Sequence, residues 1–400
     1  MKGVAITGMG IISAIGNNVA ENFEALITNK TAITSIENIT TIHKDVIKVG
    51  EIKKTNEELI DMLKLSADNN FSRTALLGAI AAKQAVEDAK ITAINEHKTG
   101  LISASSVGGM DMTEKHYYDY FENPETVKYI SSHDGGDVAQ KIADQIGLQG
   151  FVTTVSTACS SAANAIMLGA RMIQSGKLDR VIVGGTDALA KFTINGFKTL
   201  MILTDGYNTP FDQNRKGLNL GEAAAFLVLE SEEMVQHYNK KVLARVAGFG
   251  NANDAFHQTA SSENGDGALL AMQKAFQVAK LHPEQIDYIN VHGTATPNND
   301  LSEGRAIIAL YENQKIPEFS STKPFTGHTL AAAAAIEAVY SVLAIQNGVV
   351  YPNLNFKTPM EEFELVPQTT LVHKSIEHVL SNSFGFGGNC STLIFSKNKV

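Results

Sequence analysis

The feature of this chain that most narrows what it can fold into is an alternation of strand and helix that starts over partway along. The first run reads as strand GVAITG (3–8), helix SRTALLGAIAAKQAVEDAK (72–90), strand GLISAS (100–105), strand FVTTVST (151–157), helix SSAANAIMLGARMIQSGK (160–177) and strands DRVIVGGTDA (179–188) and GEAAAFLVLE (221–230). From about Lys241 the order returns: strand VLARVAGFG, helix GALLAMQKAFQVAK (267–280), strand IDYINVHGT (286–294), helices 300–313 and 330–348, and closing strands EHVLSNSF and STLIFSK. Each run ends on a long helix and two strands. This predicts a divergent internal duplication, with halves 1–240 and 241–400, built as one large layered α/β assembly of mostly parallel buried strands. Residues 190–220 and 348–370 carry Gly, Asn and Pro and read as excursions from that assembly.

Bulk properties exclude several classes. Four hundred residues exceed what one hydrophobic core usually organises, in keeping with paired halves. The composition is ordinary for a globular chain, and no apolar run is read as long enough to cross a bilayer. Gly and Ser interrupt the apolar stretch of MKGVAITGMGIISAIG, which reads as a first strand and turn and not as a leader. A net charge of −9 without any basic run argues against nucleic acid. Two cysteines cannot make a disulfide framework and lack zinc spacing, so a reducing cytoplasm is the expected setting.

Four stretches could carry chemistry. Cys159, in VSTACSSAANAI, falls where a strand gives way to a helix of small residues. There unpaired N–H groups and the helix dipole should lower its pKa and make it a nucleophile. A buried structural cysteine fits the same feature, and Cys390 reads as structural. His292 in VHGTATPNND and His328 in STKPFTGHTLAAAA each follow a strand or precede a helix, where catalytic groups project from α/β sheets. Singly, each reads more readily as a satisfied turn residue, and the other nine histidines are read as ordinary. Glu303 and Lys323 lie close enough in sequence to support the two. In SNSFGFGGN (381–389), glycines interleaved with Phe384 and Phe386 would let backbone N–H groups approach a ligand as an oxyanion hole, or would make a tight hairpin. Other motifs fail. GMGIIS has Ser13 where a dinucleotide fingerprint needs its third glycine, no phosphate loop exists, and SSTK (320–323) lacks the companions of a penicillin-binding enzyme.

Taken in order, these four stretches, with VAITGMGIISAIG and GLNLGEAAAFLVLE, resemble the elongating β-ketoacyl-acyl-carrier-protein synthases, types I and II, of the thiolase superfamily, over essentially the whole chain. The resemblance implies a thiolase-like fold of duplicated βαβαβαββ halves in a five-layered αβαβα arrangement, assembled as a homodimer. It implies an acyltransferase: Cys159 takes an acyl group from a carrier protein, and His292 and His328 grip the thioester carbonyl of a carrier-bound malonyl unit while CO₂ leaves. Lys323 would fix His328 and Glu303 would orient the network around it. The N–H groups of Cys159 and Phe386 would form the oxyanion hole, with Phe386 also gating the cysteine beside Phe384. Val107 would line the acyl pocket, and Thr294 and Thr296 would grip the phosphopantetheine arm. No redox or catalytic cofactor is implied. Some members hold a monovalent cation, Na⁺ or K⁺, near positions matching Asn290, Glu337, Ser381 and Asn382.

Departures from the family pattern bear on partners. Ala331 and Ala334 stand where glycines are usual. The helix expected around 60–72 keeps only Lys64 of the basic cluster that docks an acidic carrier protein. Lys191, Lys198, Arg215 and Lys216 are the candidate substitute patch. This shift makes a specialised polyene or polyketide-like lipid pathway as fitting as general fatty-acid elongation. The alternative reading is a non-catalytic partner subunit of a heterodimeric ketosynthase.

Overall fold

The computed structural model of the protein describes residues 3–66, 68–312 and 314–398. One mixed sheet holds strands β1 (Val4–Ser13), β2 (Thr99–Ala104), β3 (Phe151–Val155), β4 (Arg180–Asp187), β5 (Ala223–Glu230), β6 (Ala244–Asn253), β7 (Tyr288–Asn290), β8 (Glu318–Ser320), β9 (His378–Phe384) and β10 (Asn389–Ser396). Their order is β8-β7-β9-β10-β6-β1-β5-β4-β2-β3. Read outward from the central β6–β1 pair, both halves run first, fifth, fourth, second, third. The helices used below are α1 (Asn56–Leu63), α2 (Arg73–Asp88), α3 (Gly135–Gln145), α4 (Ser161–Gln174), α5 (Lys191–Thr199), α6 (Asp266–Ala279), α7 (Pro297–Tyr311) and α8 (Ala333–Asn347). Counting the sheet strands with α2, α3, α4, α6, α7 and α8, and setting aside the shorter connecting elements, each half is βαβαβαββ.

The duplication extends to the contacts between strand and helix. A Cβ on Gly8 or Gly10 of β1 would come within 2.5 and 2.2 Å of the carbonyls of Ala85 and Ala81 on α2. On Gly248 or Gly250 of β6 it would come within 2.4 and 2.0 Å of those of Ala275 and Ala271 on α6. A step of two along a strand thus meets a step of four along a helix, with backbone against backbone in both halves.

Three cores separate the layers. α2 and α3 cover one outer face against β1, β4 and β5, and α6 and α7 cover the other against β7, β9 and β10. The central core joins α4 and α8 to the inner faces of both halves. Leu330–Asn347, mean hydropathy 1.4, is long and apolar enough by composition to span a bilayer, which the sequence reading had excluded; it lies instead buried in this central layer.

Other expectations need correction. Only four of the nine strand pairings in the sheet are parallel, because each half closes with antiparallel strands. α3 was not read at all: Gly135 and Gly136 open it, although Asp134 caps it and Val138 and Ile142 face inward. Among the described residues of 60–72, only 60–63 are helical. α1 ends at Leu63, Lys64 turns left-handed (φ 56°), and the next helix starts at Arg73 behind the Ser72 cap. The strand expected over 286–294 stops at Asn290: Val291 N still bonds Ser320 O at the end of β8, but the N–H groups of His292 and Gly293 turn to the Glu303 carboxylate.

Candidate active site

Cys159 sits between β3 and α4 on a tightly wound turn. Ala158 is held at φ 51°, a strained value for a residue with a Cβ, and aims the following side chain out of the turn. Ser161 fixes the turn by accepting from Thr157 N (2.8 Å) and donating to the Ala158 carbonyl (2.5 Å). Ser160 Oγ lies 2.8 Å from both Thr157 O and Asn389 Oδ1, its one proton shared between the two acceptors, and Asn389 Oδ1 also accepts from Asn164 and Asn251. The Cys159 turn is thereby tied to β10. Gly385 lies directly on it: a Cβ there would meet Thr157 O at 2.8 Å and Cys159 N at 3.2 Å.

The thiol differs from its expectation. Burial pushes Cys159 up to about 11, and the Asp187 carboxylate works in the same direction. The charge of Lys323 and the N–H groups of Phe386 and of Cys159 itself pull the other way without overcoming desolvation.

His292 follows β7, and Glu303 of α7 holds its turn: Oε1 accepts from His292 N (2.8 Å) and Oε2 from Gly293 N (2.9 Å), while Asn382 donates to Oε1 (3.1 Å). Burial lifts the Glu303 carboxyl to about 7 against these bonds. Lys323, buried, lies 3.3 Å from His292 Nδ1, donates to the His292 carbonyl (2.6 Å) and pairs with Glu337 Oε1 (2.6 Å). Both supports therefore serve His292 and not His328 as the sequence reading had it.

His328 is fixed otherwise. Its N–H donates to Asn219 O (2.8 Å), and its Nδ1 accepts from Leu330 N (3.1 Å). With Nδ1 of each ring facing a donor, the neutral imidazoles carry their proton on Nε2. Burial and the charge of Lys323 hold both pKa values well below the usual histidine range. The rings stand perpendicular with centroids 5.4 Å apart.

Cys159, His292, His328, Thr294, Thr296, Phe384 and Phe386 all line one cavity of about 210 Å³. Thr294 and Thr296 share a hydroxyl hydrogen bond of 2.9 Å. Phe386 stacks on Phe197 of α5, 5.8 Å between centroids, and its turn is tied by Gly387 N to the Gln258 carbonyl. Val107 lies outside this cavity, in a neighbouring hollow with Ile130, Thr154 and Ser156, its N–H bonded to Asp187. Cys390 and His257, both read as bystanders, do line the cavity. Asp300 was also missed. Buried on the first turn of α7, it accepts from Ala295 N (3.1 Å) and so holds the threonine turn. Its position in GTATPNND was visible, but the bonds it makes were not.

The four residues proposed around a cation divide between two faces. Asn290 and Ser381 pair in register, on the face of Tyr288 and Val379 that meets the central layer with Glu337. Among the described residues both polar atoms of the Asn290 amide are buried without a partner, and its oxygen is of the ligand type a small cation takes. Asn382 points oppositely, to Glu303 and Thr392. In the substitute patch, Lys198 is paired with Asp205 (3.0 Å) and Arg215 is turned onto the carbonyls of Asp212 and Pro297, whereas Lys191 and Lys216 are exposed.

A buried sulfur facing backbone donors, with two neutral N–H imidazoles in the same cavity, defines a site for acyl transfer in which an anionic oxygen is stabilised. Comparison with known proteins agrees. The profile of the Beta-ketoacyl synthase, N-terminal domain, matches residues 1–234, and that of the Beta-ketoacyl synthase, C-terminal domain, matches residues 243–357. The chain is 34% identical to the 3-oxoacyl-[acyl-carrier-protein] synthase 2 of Staphylococcus aureus (strain COL), over 99% of this chain and 98% of that one. It is equally identical to its counterpart in Vibrio cholerae, over 98% and 99%. Among solved structures, the ishigamide ketosynthase/chain length factor superposes with a TM-score of 0.93 at 28% identity, covering all of both chains. A ketosynthase in complex with its chain length factor from Xenorhabdus doucetiae gives 0.87 at 29%, over 99% and 98%. The chain belongs to the beta-ketoacyl synthase family. It has the thiolase-like fold and is an acyltransferase of the condensing type.

Proposed function

We propose that this protein condenses an acyl chain carried on Cys159 with malonyl-acyl-carrier protein, releasing CO₂ and giving 3-oxoacyl-acyl-carrier protein, in fatty-acid or specialised polyene or polyketide-like lipid biosynthesis. The observation that carries this reading is the meeting of Cys159, His292 and His328 in one cavity, with both rings presenting Nε2–H. In the first step the Cys159 sulfur attacks the acyl thioester, its oxyanion facing the N–H groups of Cys159 and Phe386. The carrier's thiol leaves with the proton that Cys159 gives up. In the second, the bond between malonyl carbon and carboxylate breaks, and the electron pair moves into an enolate whose oxygen takes hydrogen bonds from the two imidazoles. The enolate carbon attacks the Cys159 thioester and expels its sulfur, which regains a proton. Thr294 and Thr296 would hold the phosphopantetheine arm.

A monovalent cation held by Asn290, Ser381 and Glu337 would brace the strand ends and take no part in the chemistry. A homodimer would form by adding a second copy at the free edge of β3, where Phe151 is exposed. Malonyl and acyl carrier proteins would dock near Lys191 and Lys216, and the setting would be the cytoplasm. The partner-subunit reading draws support from the solved relatives that pair a ketosynthase with a chain length factor. Retention of the cysteine and both histidines favours catalysis. Incubation with an acyl-carrier thioester is expected to add the acyl mass at Cys159; no adduct, or one at Cys390, would overturn the catalytic reading.

A further inference from the structure

Behind the cavity lies a carboxylate that the condensation chemistry leaves unused. Asp187 ends β4, fully buried, and among the described residues no cation pairs with it. Hydrogen-bond donors from two separate segments surround it instead. From the turn after β2, Oδ1 accepts from Ser105 Oγ (2.7 Å), Ser106 N and Val107 N (both 3.1 Å), and Oδ2 accepts from Ser106 Oγ (2.6 Å) and Ser106 N (3.2 Å). From the approach to α8, Oδ2 accepts from Ala331 N (2.9 Å). A buried charge satisfied only by dipoles holds those dipoles firmly, since releasing any of them leaves the charge under-solvated.

The grip on Ala331 matters because of its neighbour. Leu330 N is the group that bonds His328 Nδ1, and Leu330 itself stands at φ 54°, a strained conformation that persists only where its surroundings impose it. β4 presses on the same place: a Cβ on Gly185 would come within 2.9 Å of the Ala331 carbonyl. We propose that Asp187 is a positioning residue for His328. By anchoring the Ala331 N–H it locks the strained 329–331 turn, so that Leu330 N–H keeps His328 Nδ1 an acceptor and leaves Nε2–H aimed into the cavity. The same carboxylate clamps the Ser105–Val107 turn, so one group sets both the hollow wall and the histidine. This assignment rests on the proposed function for the role of His328.

The test is Asp187→Asn. An amide can accept at only one of the two oxygen positions, and its NH₂ must face either Ala331 N–H or the N–H groups of Ser106 and Val107. Acylation of Cys159 from an acyl-carrier thioester is expected to change by no more than a few-fold, through the loosened Ser105–Val107 wall and the lost charge near the thiol, while CO₂ release from malonyl-carrier protein falls by about tenfold or more. Nitrogen-15 spectra of the histidines should show His328 as a single Nε2–H tautomer in the wild type and as a tautomer mixture in the variant. Equal loss of both activities, or loss of neither, or an unchanged tautomer would overturn the role. Should Asp187→Asn fail to fold, Ser106→Ala decides the matter: it removes one hydroxyl from the carboxylate and leaves every backbone donor. A selective drop of about threefold in CO₂ release would support the role, and wild-type rates in both assays would overturn it. A wild-type protein that neither takes an acyl group nor releases CO₂ would instead remove the proposed function.

Discussion

The turn after β3 and the turn after β8 occupy the same place in the two halves, yet they do different work. Each leaves an edge strand of the sheet and feeds a helix of the central layer, α4 in one case and α8 in the other. The first spans residues 156–160 and has room only to wind a sulfur against a helix start. The second spans 321–332 and carries Lys323, His328 and the strained peptide that orients it. Duplication supplied two rigid platforms facing each other across one cavity. The unequal turns divide the side chains that the proposed function uses, with Cys159 on the short one, His328 on the long one and His292 on the turn after β7.

That division can be broken most severely at the sulfur. Cys159→Ala should abolish condensation, a loss on the order of 10⁴-fold or more, because the proposed route needs the acyl chain on this sulfur; product formation from acyl and malonyl carriers is the readout. Cys159→Gln should likewise stop condensation but leave CO₂ release from the malonyl unit running, since the donors belong to the other half. Residual condensation in either would mean the two halves do not divide the work as described.

Lys323→Ala sharpens the comparison from the other side. It strips the His292 turn of its donor and leaves Glu337 buried without its cation, with an expected loss of roughly 3–5 kcal/mol in denaturant unfolding. Adding Glu337→Leu should return most of that stability without restoring decarboxylation.

Much of this was legible in the sequence, and the gaps have physical causes. Most of the order of strands and helices, the approximate extents of α2, α4, α6 and α8, and the meeting of Cys159 with the two histidines follow from local pattern and family resemblance; α3 and the short strand β8 do not stand out in local pattern. Burial was not legible. A helix start suggested a thiolate, but desolvation of Cys159 outweighs the nearby N–H groups. Nor was the choice of partner: spacing set Lys323 five residues before His328, whereas the helical turn Lys323–Thr326 turns its ammonium toward His292. Asp187 and Asp300 act on backbone N–H groups, which leave no mark in side-chain pattern.

A smaller effect concerns Gly385, through which the β9–β10 connection touches the nucleophile turn. Gly385→Ala should cost about 1–3 kcal/mol in unfolding and slow acylation of Cys159 more than CO₂ release. The mildest test is pH. Below a thiol's pKa the thiolate fraction rises about tenfold per pH unit, so alkylation of Cys159 by iodoacetamide should climb steadily from roughly pH 7 to 10, whereas a thiol activated at rest would level off near neutrality.

The central claim, that one half takes the acyl group and the other drives decarboxylation, meets its most direct test in a single variant. His328→Ala should take up the acyl mass at Cys159 at a rate close to wild type while releasing CO₂ from malonyl-carrier protein about 10²- to 10³-fold more slowly. Parallel loss of acylation and CO₂ release, or CO₂ release at the wild-type rate, would contradict it.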